Sequence, residues 1–145
     1  SQMEDGRLIP NFITQALDNQ PLTIHGDGSQ TRSLCYVTDL VDGLMRAMFT
    51  PGTTGQIYNL GNPEEHTVLE YAQFIIRLCE SSSKMVFVPK RQDDPDRRRP
   101  DIRRAREQLG WEPTVGLEAG LAWTINWFRQ ERARQAAEAQ QIAVS

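Results

Sequence analysis

The stretch that decides the fold class is residues 56–78, which read QIYNLGNPEEHTVLEYAQFIIRL. Its first five residues, 56–60, predict a short strand that ends at Gly61-Asn62-Pro63. Thr67, followed three residues later by Glu70, has the pattern of a capping box and predicts the start of a helix. Apolar residues then recur at helical spacing to the end of the stretch. A strand followed closely by a helix with a broad apolar face is typical of an α/β protein.

Helices and strands are also predicted before residue 56. Apolar residues at helical spacing after Pro10 predict a helix as far as Leu17. Leu22–His25 has the composition of a short strand. Gly26-Asp27-Gly28 predicts a hairpin turn, and Ser33–Val37 would then be the second strand of the hairpin. The next helix would be capped by Thr38 or Asp39, and its apolar stripe consists of Val41, Leu44, Met45 and Met48.

The last third of the chain continues the alternation. Met85–Val88 predicts a strand, and Pro100-Asp101 predicts the start of a short helix that Gly110 ends. A final helix is predicted from about Leu117. The alanine- and glutamine-rich residues 135–145 are expected to fray, so residues 1–134 form the folded portion. The predicted strands are too few for a complete doubly wound sheet, and the chain is therefore expected to be one portion of a larger α/β fold.

Composition limits the classes of function. The sequence has 145 residues, a net charge of −3 and 39% hydrophobic residues, which suits a folded soluble domain and provides no overall attraction to nucleic acid. Its two cysteines, Cys35 and Cys79, lie in hydrophobic runs and are expected to be buried free thiols. No apolar run reaches the length of a membrane span, and His25 and His66 lack the spacing of metal ligands, so no metal site is expected.

Positive charge is concentrated between Lys90 and Arg106, where 17 residues hold eight of the 16 basic side chains. Such a cluster can bind a diphosphate, bind nucleic acid or form a solvated face. A diphosphate is best bound by arginines from separate segments, because each guanidinium can donate to two oxygens at once. Arg32 and Arg98 are the candidates for that arrangement.

The sequence lacks two motifs of dinucleotide-dependent chemistry. Gly26-Asp27-Gly28 begins like a dinucleotide-binding fingerprint, but Thr31 stands where the third glycine belongs. None of the three tyrosines is followed by a lysine four residues later, so no tyrosine–lysine pair for proton transfer is present. We therefore expect no cofactor-binding residues in this chain.

Several segments together resemble the extended short-chain dehydrogenase/reductase family, and within it the branch that decarboxylates UDP-glucuronate. They are GRLIPNFI at 6–13, PLTIHGDGSQTRS at 21–33, YVTDL at 36–40, NLGNPEEHT at 59–67 and DDPDRRRPDI at 93–102. The resemblance implies an α/β fold of which this chain is the C-terminal, substrate-binding portion. The NAD-binding Rossmann half, the glycine-rich loop and the catalytic tyrosine would lie upstream. The departures are His25, where the family usually has tyrosine, and Leu34, where it usually has phenylalanine.

The resemblance also implies roles for individual residues. Arg98 corresponds to an arginine implicated in the chemistry beside the glucuronate carboxylate and is the expected catalytic residue. The expected substrate-binding residues are Arg7, His25, Gly26, Gln30, Arg32 and Arg98. The parent enzyme would use NAD, bind a UDP-sugar and be cytoplasmic or a membrane-tethered lumenal form. The chain alone is expected to be inactive and not to bind NAD.

Three alternatives remain open at the level of sequence. A related sugar-nucleotide epimerase or dehydratase would share most of these segments but would usually lack the Arg98-Arg99-Pro100-Asp101-Ile102 form. A non-catalytic binding or assembly module is a second alternative, and nucleic-acid binding is a third. The apolar stripe on the helix after Val37 also predicts that the chain either self-associates there or stays partly molten there, because the elements that would cover the stripe are expected elsewhere in the parent.

Overall fold

Helices and short strands alternate along the chain in the computed structural model, which describes residues 2–92 and 99–144. The helices are α1 (Gln2–Leu17), α2 (Val37–Phe49), α3 (Val68–Leu78) and α4 (Leu117–Val144). A π-helical turn, Ala105–Leu109, lies between α3 and α4. The strands are β1 (Leu22–His25), β2 (Thr31–Arg32), β3 (His66–Thr67) and β4 (Met85–Val88).

The four strands form two separate pairs. β1 is parallel to β4, with Leu22 opposite Met85 and His25 opposite Val88, whereas β2 is antiparallel to β3. The predicted hairpin around Gly26-Asp27-Gly28 is therefore wrong. The glycine segment does turn the chain, but β1 takes its hydrogen bonds from a strand about sixty residues away, and the strand after the turn pairs elsewhere.

Two further predicted strands are also wrong. The second strand is Thr31–Arg32 rather than Ser33–Val37, because α2 already begins at Val37. Residues 56–60 form no ladder with any strand in the described part of the chain. A strand needs a neighbour for its backbone groups. Here Tyr58 and Leu60 pack their side chains on Trp111 and its neighbours instead, while Ile57 is 78% exposed.

The helix predictions are closer to the structure. The capping box of α3 is confirmed, because the Thr67 side chain accepts from the Glu70 backbone and the Glu70 side chain accepts from the Thr67 backbone. The short helix before Gly110 is confirmed in its buried residues, and Gly110 ends it in a left-handed conformation with φ 59°. α1 begins at Gln2 and continues through Pro10, so it is longer than the prediction.

The main core lies between α1, α3, α4 and β1. Each of these elements contributes residues that are almost fully buried: Phe12, Ile13, Leu22, Ile24, Tyr71, Ile75, Leu121 and Ile125. This core fixes the end of β1 relative to the start of α3, and the candidate site lies between those two points.

A second cluster joins α2 to the π-helical turn through Trp111. The Trp111 Nε1 donates to the backbone oxygen of Asp39 at 2.8 Å, and the Asp39 carboxylate accepts from Thr114 and Val115. Asp39 was one of two predicted caps of α2. The N-cap is Tyr36, which makes no side-chain capping bond, and the Asp39 carboxylate instead holds the segment that follows Trp111.

The apolar stripe predicted on α2 lies on the surface, since Leu44, Met45 and Met48 are 56%, 53% and 73% accessible.

The last helix, α4, stays helical to Val144 although every described residue beyond Arg132 is exposed. Fraying of residues 135–145 therefore stays a prediction. No helix within the described ranges is long and apolar enough to cross a membrane.

Candidate functional site

The glycine loop between β1 and β2 is held at both of its ends. The Gly26 backbone donates to the Val88 oxygen at 2.8 Å, which extends the pairing of β1 with β4. The oxygens of Gly28 and Gln30 accept from Leu69 and Val68 at 3.1 and 2.9 Å. Leu69 and Val68 lie in the first turn of α3, where N–H groups have no partner within the helix. The loop thus caps α3 and is positioned by it.

Both glycines of the loop are required by its backbone. Gly26 and Gly28 have φ values of 76° and 79°, a region that other residues adopt only with strain. A Cβ on Gly28 would lie 3.0 Å from the Leu69 Cβ, and a Cβ on Gly26 would lie 3.3 Å from the Lys90 Cβ. The loop therefore approaches α3 and the segment after β4 more closely than a side chain would permit.

Gln30 and His25 are joined within this loop. The Gln30 side chain is buried, and its Nε2 donates to the His25 backbone oxygen at 2.8 Å. The His25 ring is half-buried at the end of β1, and its Nε2 lies 3.4 Å from Nη2 of Arg91. Gln30 closes the loop, and this leaves the His25 ring at the surface beside a basic segment.

Arg32 lies at the far end of the loop and is 7% exposed. Its Nη1 donates to the Thr31 oxygen at 2.7 Å, and its own backbone oxygen accepts from the Tyr71 hydroxyl at 2.8 Å. His66 is its partner in the pairing of β2 with β3. The position of Arg32 is therefore determined by its strand and by the buried Tyr71 on α3.

The structure brings together four of the six predicted substrate-binding residues: His25, Gly26, Gln30 and Arg32. Arg7 lies exposed on α1, and no described contact joins it to the loop. Arg98, the predicted catalytic residue, lies outside the described residues.

Lys90 and Arg91 were not among the predicted site residues, although both border the loop. They follow Pro89 at the end of β4, and a parallel pairing of β4 with β1 places them beside the glycine turn. The sequence shows the positive charge of these two residues but not the pairing of β4 with β1. Their position beside the loop could therefore not be predicted from the sequence.

The site has the chemistry of anion and hydroxyl binding. Its described groups are backbone N–H and C=O groups, an imidazole, an amide and cationic side chains. The thiol of Cys35, which packs against the Trp111 cluster, is not a nucleophile at neutral pH, because burial and the charge of Asp39 raise its pKa to about 11. Within the described ranges no group of histidines, cysteines and carboxylates could hold a metal ion.

A depression of about 390 Å³ lies away from the glycine loop, between residues 56–60 and the π-helical turn. Arg104 Nη1 donates across it to the Ile57 oxygen at 3.0 Å, and the Tyr58 hydroxyl donates to Gln108 at 2.8 Å. These contacts bind the extended segment to the turn. Arg104 and Gln108, two of the polar residues that line the depression, are thus used in holding the chain together.

The glycine loop does not fit a dinucleotide. A dinucleotide-binding loop leads from a strand directly into a helix, whose N-terminal N–H groups receive the pyrophosphate. Here the loop leads into β2, and the oxygens of Gly28 and Gln30 already occupy the N–H groups at the start of α3. We therefore assign no cofactor chemistry to this loop.

Comparison with known proteins identifies relatives of this architecture. A family model described as GDP-mannose 4,6 dehydratase matches residues 2–124. UDP-glucuronic acid decarboxylase 1 of Danio rerio is 54% identical over 134 residues, which are 92% of this chain and 32% of the relative. UDP-glucuronic acid decarboxylase 4 of Arabidopsis thaliana is 48% identical over 128 residues, which are 88% of this chain and 28% of the relative. The chain thus spans about a third of the length of these relatives.

Solved structures give the same fold. An epimerase of Methanothermobacter thermautotrophicus superposes with a TM-score of 0.83 at 39% identity, over 87% of this chain and 38% of that one. UDP-glucuronic acid 4-epimerase of Bacillus cereus, in complex with UDP-glucuronic acid and NAD, superposes with a TM-score of 0.80 at 30% identity, over 85% and 40%. The predicted fold class, an α/β portion of a larger fold of this type, is confirmed.

Proposed function

Since the chain belongs to the extended short-chain dehydrogenase/reductase family, we propose that it forms the sugar-nucleotide-binding portion of a UDP-glucuronate decarboxylase. The complete enzyme would convert UDP-glucuronate to UDP-xylose and CO₂. The observation that carries this proposal is the similarity to proteins named UDP-glucuronic acid decarboxylase, at 48–54% identity over 88–92% of this chain. The Arg98-Arg99-Pro100-Asp101-Ile102 segment supports the same assignment.

The glycine loop would bind the nucleotide side of the substrate. The half-buried ring of His25 can pack on the uracil, and the backbone of Gly26 can come close to the ligand because it carries no side chain. Gln30 would keep the loop in place. Arg32 and Arg98 would neutralise the diphosphate, and Lys90 and Arg91 would add positive charge beside it. Arg7 is proposed as a further substrate contact.

NAD is proposed as the cofactor of the complete enzyme and not as a ligand of this chain. The solved epimerase of B. cereus contains NAD, and this chain covers 40% of that structure. The glycine loop described above does not fit a dinucleotide. We therefore propose that the chain alone neither binds NAD nor turns over substrate, and that Arg98 acts only within the complete enzyme.

An epimerase or dehydratase is the second candidate function. The superposition on an epimerase that is named for UDP-glucuronic acid, the same substrate that a decarboxylase would use, is consistent with this candidate. The product separates the two candidates, because a decarboxylase forms UDP-xylose with loss of CO₂ and a 4-epimerase retains the carboxylate. Incubating the complete enzyme with UDP-glucuronate and measuring CO₂ decides between them.

Self-association is proposed for the isolated chain, through the exposed stripe of α2 and Ile57. Contiguous exposed apolar surface of this kind marks interaction sites in soluble proteins. In the complete enzyme, the portion absent from this chain would cover the stripe. A non-catalytic module that uses the stripe for assembly is the corresponding alternative from another functional class.

Calorimetric titration of the chain with UDP-glucuronate, UDP and NAD tests the proposed binding function. We expect saturable binding of UDP-glucuronate and UDP, because the glycine loop and Arg32 are both present, and no binding of NAD. A lack of UDP-glucuronate binding at millimolar concentration would contradict the proposal. Binding of NAD with a micromolar constant would overturn the assignment of the chain to the substrate side.

A further inference from the structure

His66 lies between two carboxylates. Its Nε2 is 2.9 Å from Oε1 of Glu64, and its Nδ1 is 3.2 Å from Oε2 of Glu70. An ionised carboxylate only accepts hydrogen bonds, and a neutral imidazole donates from one nitrogen only. Both contacts can therefore be hydrogen bonds only when the ring is doubly protonated. The side chain of His66 is 19% exposed, so water is largely excluded as a substitute partner.

The same residue holds the shorter of the two strand pairs. His66 pairs with Arg32, and Thr31 pairs with Thr67. Two residues on each side make a ladder too short to be stable by itself. Thr31 Oγ1 also donates a hydrogen bond to Oε2 of Glu65 at 3.1 Å, and the Tyr71 hydroxyl of α3 donates one to the Arg32 backbone oxygen. The Tyr71 ring in turn meets the His66 ring edge-on, with centroids 5.7 Å apart.

Glu70 connects this arrangement to the start of α3. Its Oε1 accepts from the Thr67 backbone at 3.2 Å, and its Oε2 faces His66. One carboxylate therefore fixes both the first turn of α3 and the ring of His66. The charged and titratable groups around His66 are thus Glu64 from the preceding loop, Glu70 and Tyr71 from α3, and Arg32 and Glu65 at the strand pair.

We propose that His66 is a positioning residue for Arg32, because its ring, held between Glu64 and Glu70, keeps β2 and β3 in the register that presents Arg32 to the diphosphate. This inference rests on the proposed binding of UDP-sugars. His66 does not contact the substrate in this arrangement. Its effect on affinity passes through the backbone of Arg32.

The electrostatics around the ring agree with that geometry. Burial alone lowers the pKa of His66, but the hydrogen bonds to Glu70 and Glu64 and the charges of both carboxylates raise it more, so the pKa lies above its ordinary value. The ring is therefore cationic below its raised pKa. It loses one of its two hydrogen bonds as the pH rises through that value.

The test is the pH dependence of UDP-glucuronate binding to the chain. The diphosphate diester of this ligand does not titrate between pH 6 and 9. In the unmodified chain, we expect the dissociation constant to rise about 3- to 10-fold over this range, which is the effect of losing one hydrogen bond. In His66→Gln, the dissociation constant should be high at pH 6 and should rise no further. In Glu138→Gln, which removes an exposed carboxylate on the last turns of α4, it should follow the unmodified chain.

Proton NMR of the two histidine rings supplies a readout that does not depend on the ligand. The signal absent from His66→Gln identifies the ring of His66, and Glu64→Gln should lower its pKa. If the unmodified chain does not bind UDP-glucuronate at pH 6, the proposed function fails and the inference fails with it. If the chain binds but His66→Gln shows the same pH dependence, or if Glu64→Gln leaves the pKa of His66 unchanged, the inference alone is overturned.

Discussion

At the scale of single residues, the candidate site consists of side chains with different tasks. Gln30 closes the glycine loop through the His25 oxygen, whereas His25 itself stays partly accessible. Arg32 is buried, and its backbone is held by Tyr71. A guanidinium can donate to two phosphate oxygens at once, and this is the reason for which Arg32 is proposed as a ligand of the diphosphate.

Replacing Arg32 should therefore weaken binding of UDP-glucuronate. A charge-assisted contact contributes about 1.5–3 kcal/mol, so in the complete enzyme Arg32→Ala and Arg98→Ala should each bind UDP-glucuronate about 10- to 150-fold more weakly. Arg32→Lys should recover only part of the affinity, because an ammonium cannot form the two-pronged contact. Calorimetry provides the measurement, and circular dichroism checks that each variant is folded. Arg103→Ala is the control, since Arg103 is exposed and paired with Asp101. Unchanged affinity in a folded Arg32→Ala would remove Arg32 from the site.

The sequence predicted four residues of the loop as site residues, namely His25, Gly26, Gln30 and Arg32, but it predicted neither their arrangement nor the neighbouring Lys90 and Arg91. The motif around Gly26 predicted a hairpin turn, and the chain does turn there, but the two flanking strands do not pair with each other. The role of His66 was missed because it was considered only as a metal ligand. A signal was present, since Glu70 follows His66 by four residues on the predicted helix side and Glu64 precedes it by two. Only the folded backbone shows that both carboxylates reach the same ring.

At the scale of secondary structure, local patterns predicted well and distant pairings did not. The capping box of α3 was predictable because all of its hydrogen bonds lie within four residues. The hairpin at Gly26 failed because a glycine turn specifies a change of direction but not a partner strand. β1 pairs with β4, whose position depends on α3 packing against α1. Residues 56–60 have strand composition, yet composition cannot supply the neighbour that a ladder requires.

The start of α3 should be sensitive to two substitutions in different ways. Thr67→Ala removes an N-cap and should lower the free energy of unfolding by about 0.5–2 kcal/mol at any pH between 5 and 9. Glu70→Gln keeps an acceptor for the Thr67 backbone but removes the charge that faces His66. Its destabilisation should be larger at pH 5.5 than at pH 9, because a larger fraction of His66 is cationic at the lower pH. Urea unfolding followed by circular dichroism provides the measurement.

The expected pH dependence of the free energy of unfolding of the unmodified chain follows from the pair Glu70 and His66. Hydrogen bonds from His66 and from the Thr67 backbone lower the pKa of Glu70, so its contribution is present above its ordinary value of 4.5 and is lost as the pH falls through the lowered value. The pKa of His66 is raised, so its contribution is complete below its ordinary value of 6.5 and is lost as the pH rises through the raised value. Glu70 and His66 therefore stabilise the folded chain most between pH 4.5 and pH 6.5, the ordinary pKa values of the two groups. Equal losses in Glu70→Gln at pH 5.5 and pH 9 would contradict this account.

At the scale of the whole molecule, a well-packed core stands beside one helix, α2, whose outer side exposes apolar residues. The core around α1, α3 and α4 buries Phe12, Tyr71 and Ile125 almost completely. α2 is different, because it is anchored through Gly43 and Asp39 to Trp111 while its opposite face is open. A Cβ on Gly43 would lie 2.9 Å from Leu60, so this side of α2 is already in close contact. The opposite side of α2 is the one on which apolar side chains are exposed.

The open side of α2 should make the isolated chain self-associate. The exposed apolar residues there and nearby include Leu44, Met45, Met48, Phe49 and Ile57, at 53–78%. Burying about 600 Å² of such surface is worth roughly 15 kcal/mol before ordering and association costs, at about 25 cal/mol per Å². That is comparable to the net stability of a domain, which is about 5–15 kcal/mol. Sedimentation velocity at micromolar concentration should therefore show species larger than the 16.5 kDa monomer.

A pair of variants identifies the surface that is responsible. Leu44→Lys and Met48→Lys place charges on the open side of α2 without touching Trp111 or Asp39, and together they should return the chain to a monomer with unchanged helix content. Trp123→Lys is the matched control, because Trp123 is a similarly exposed apolar residue on α4, at 56%. It should leave the association unchanged. If the unmodified chain sediments as a monomer, and hydrogen exchange shows strong protection of amides throughout residues 40–60, the apolar side of α2 is covered within the chain and the proposed assembly surface does not exist.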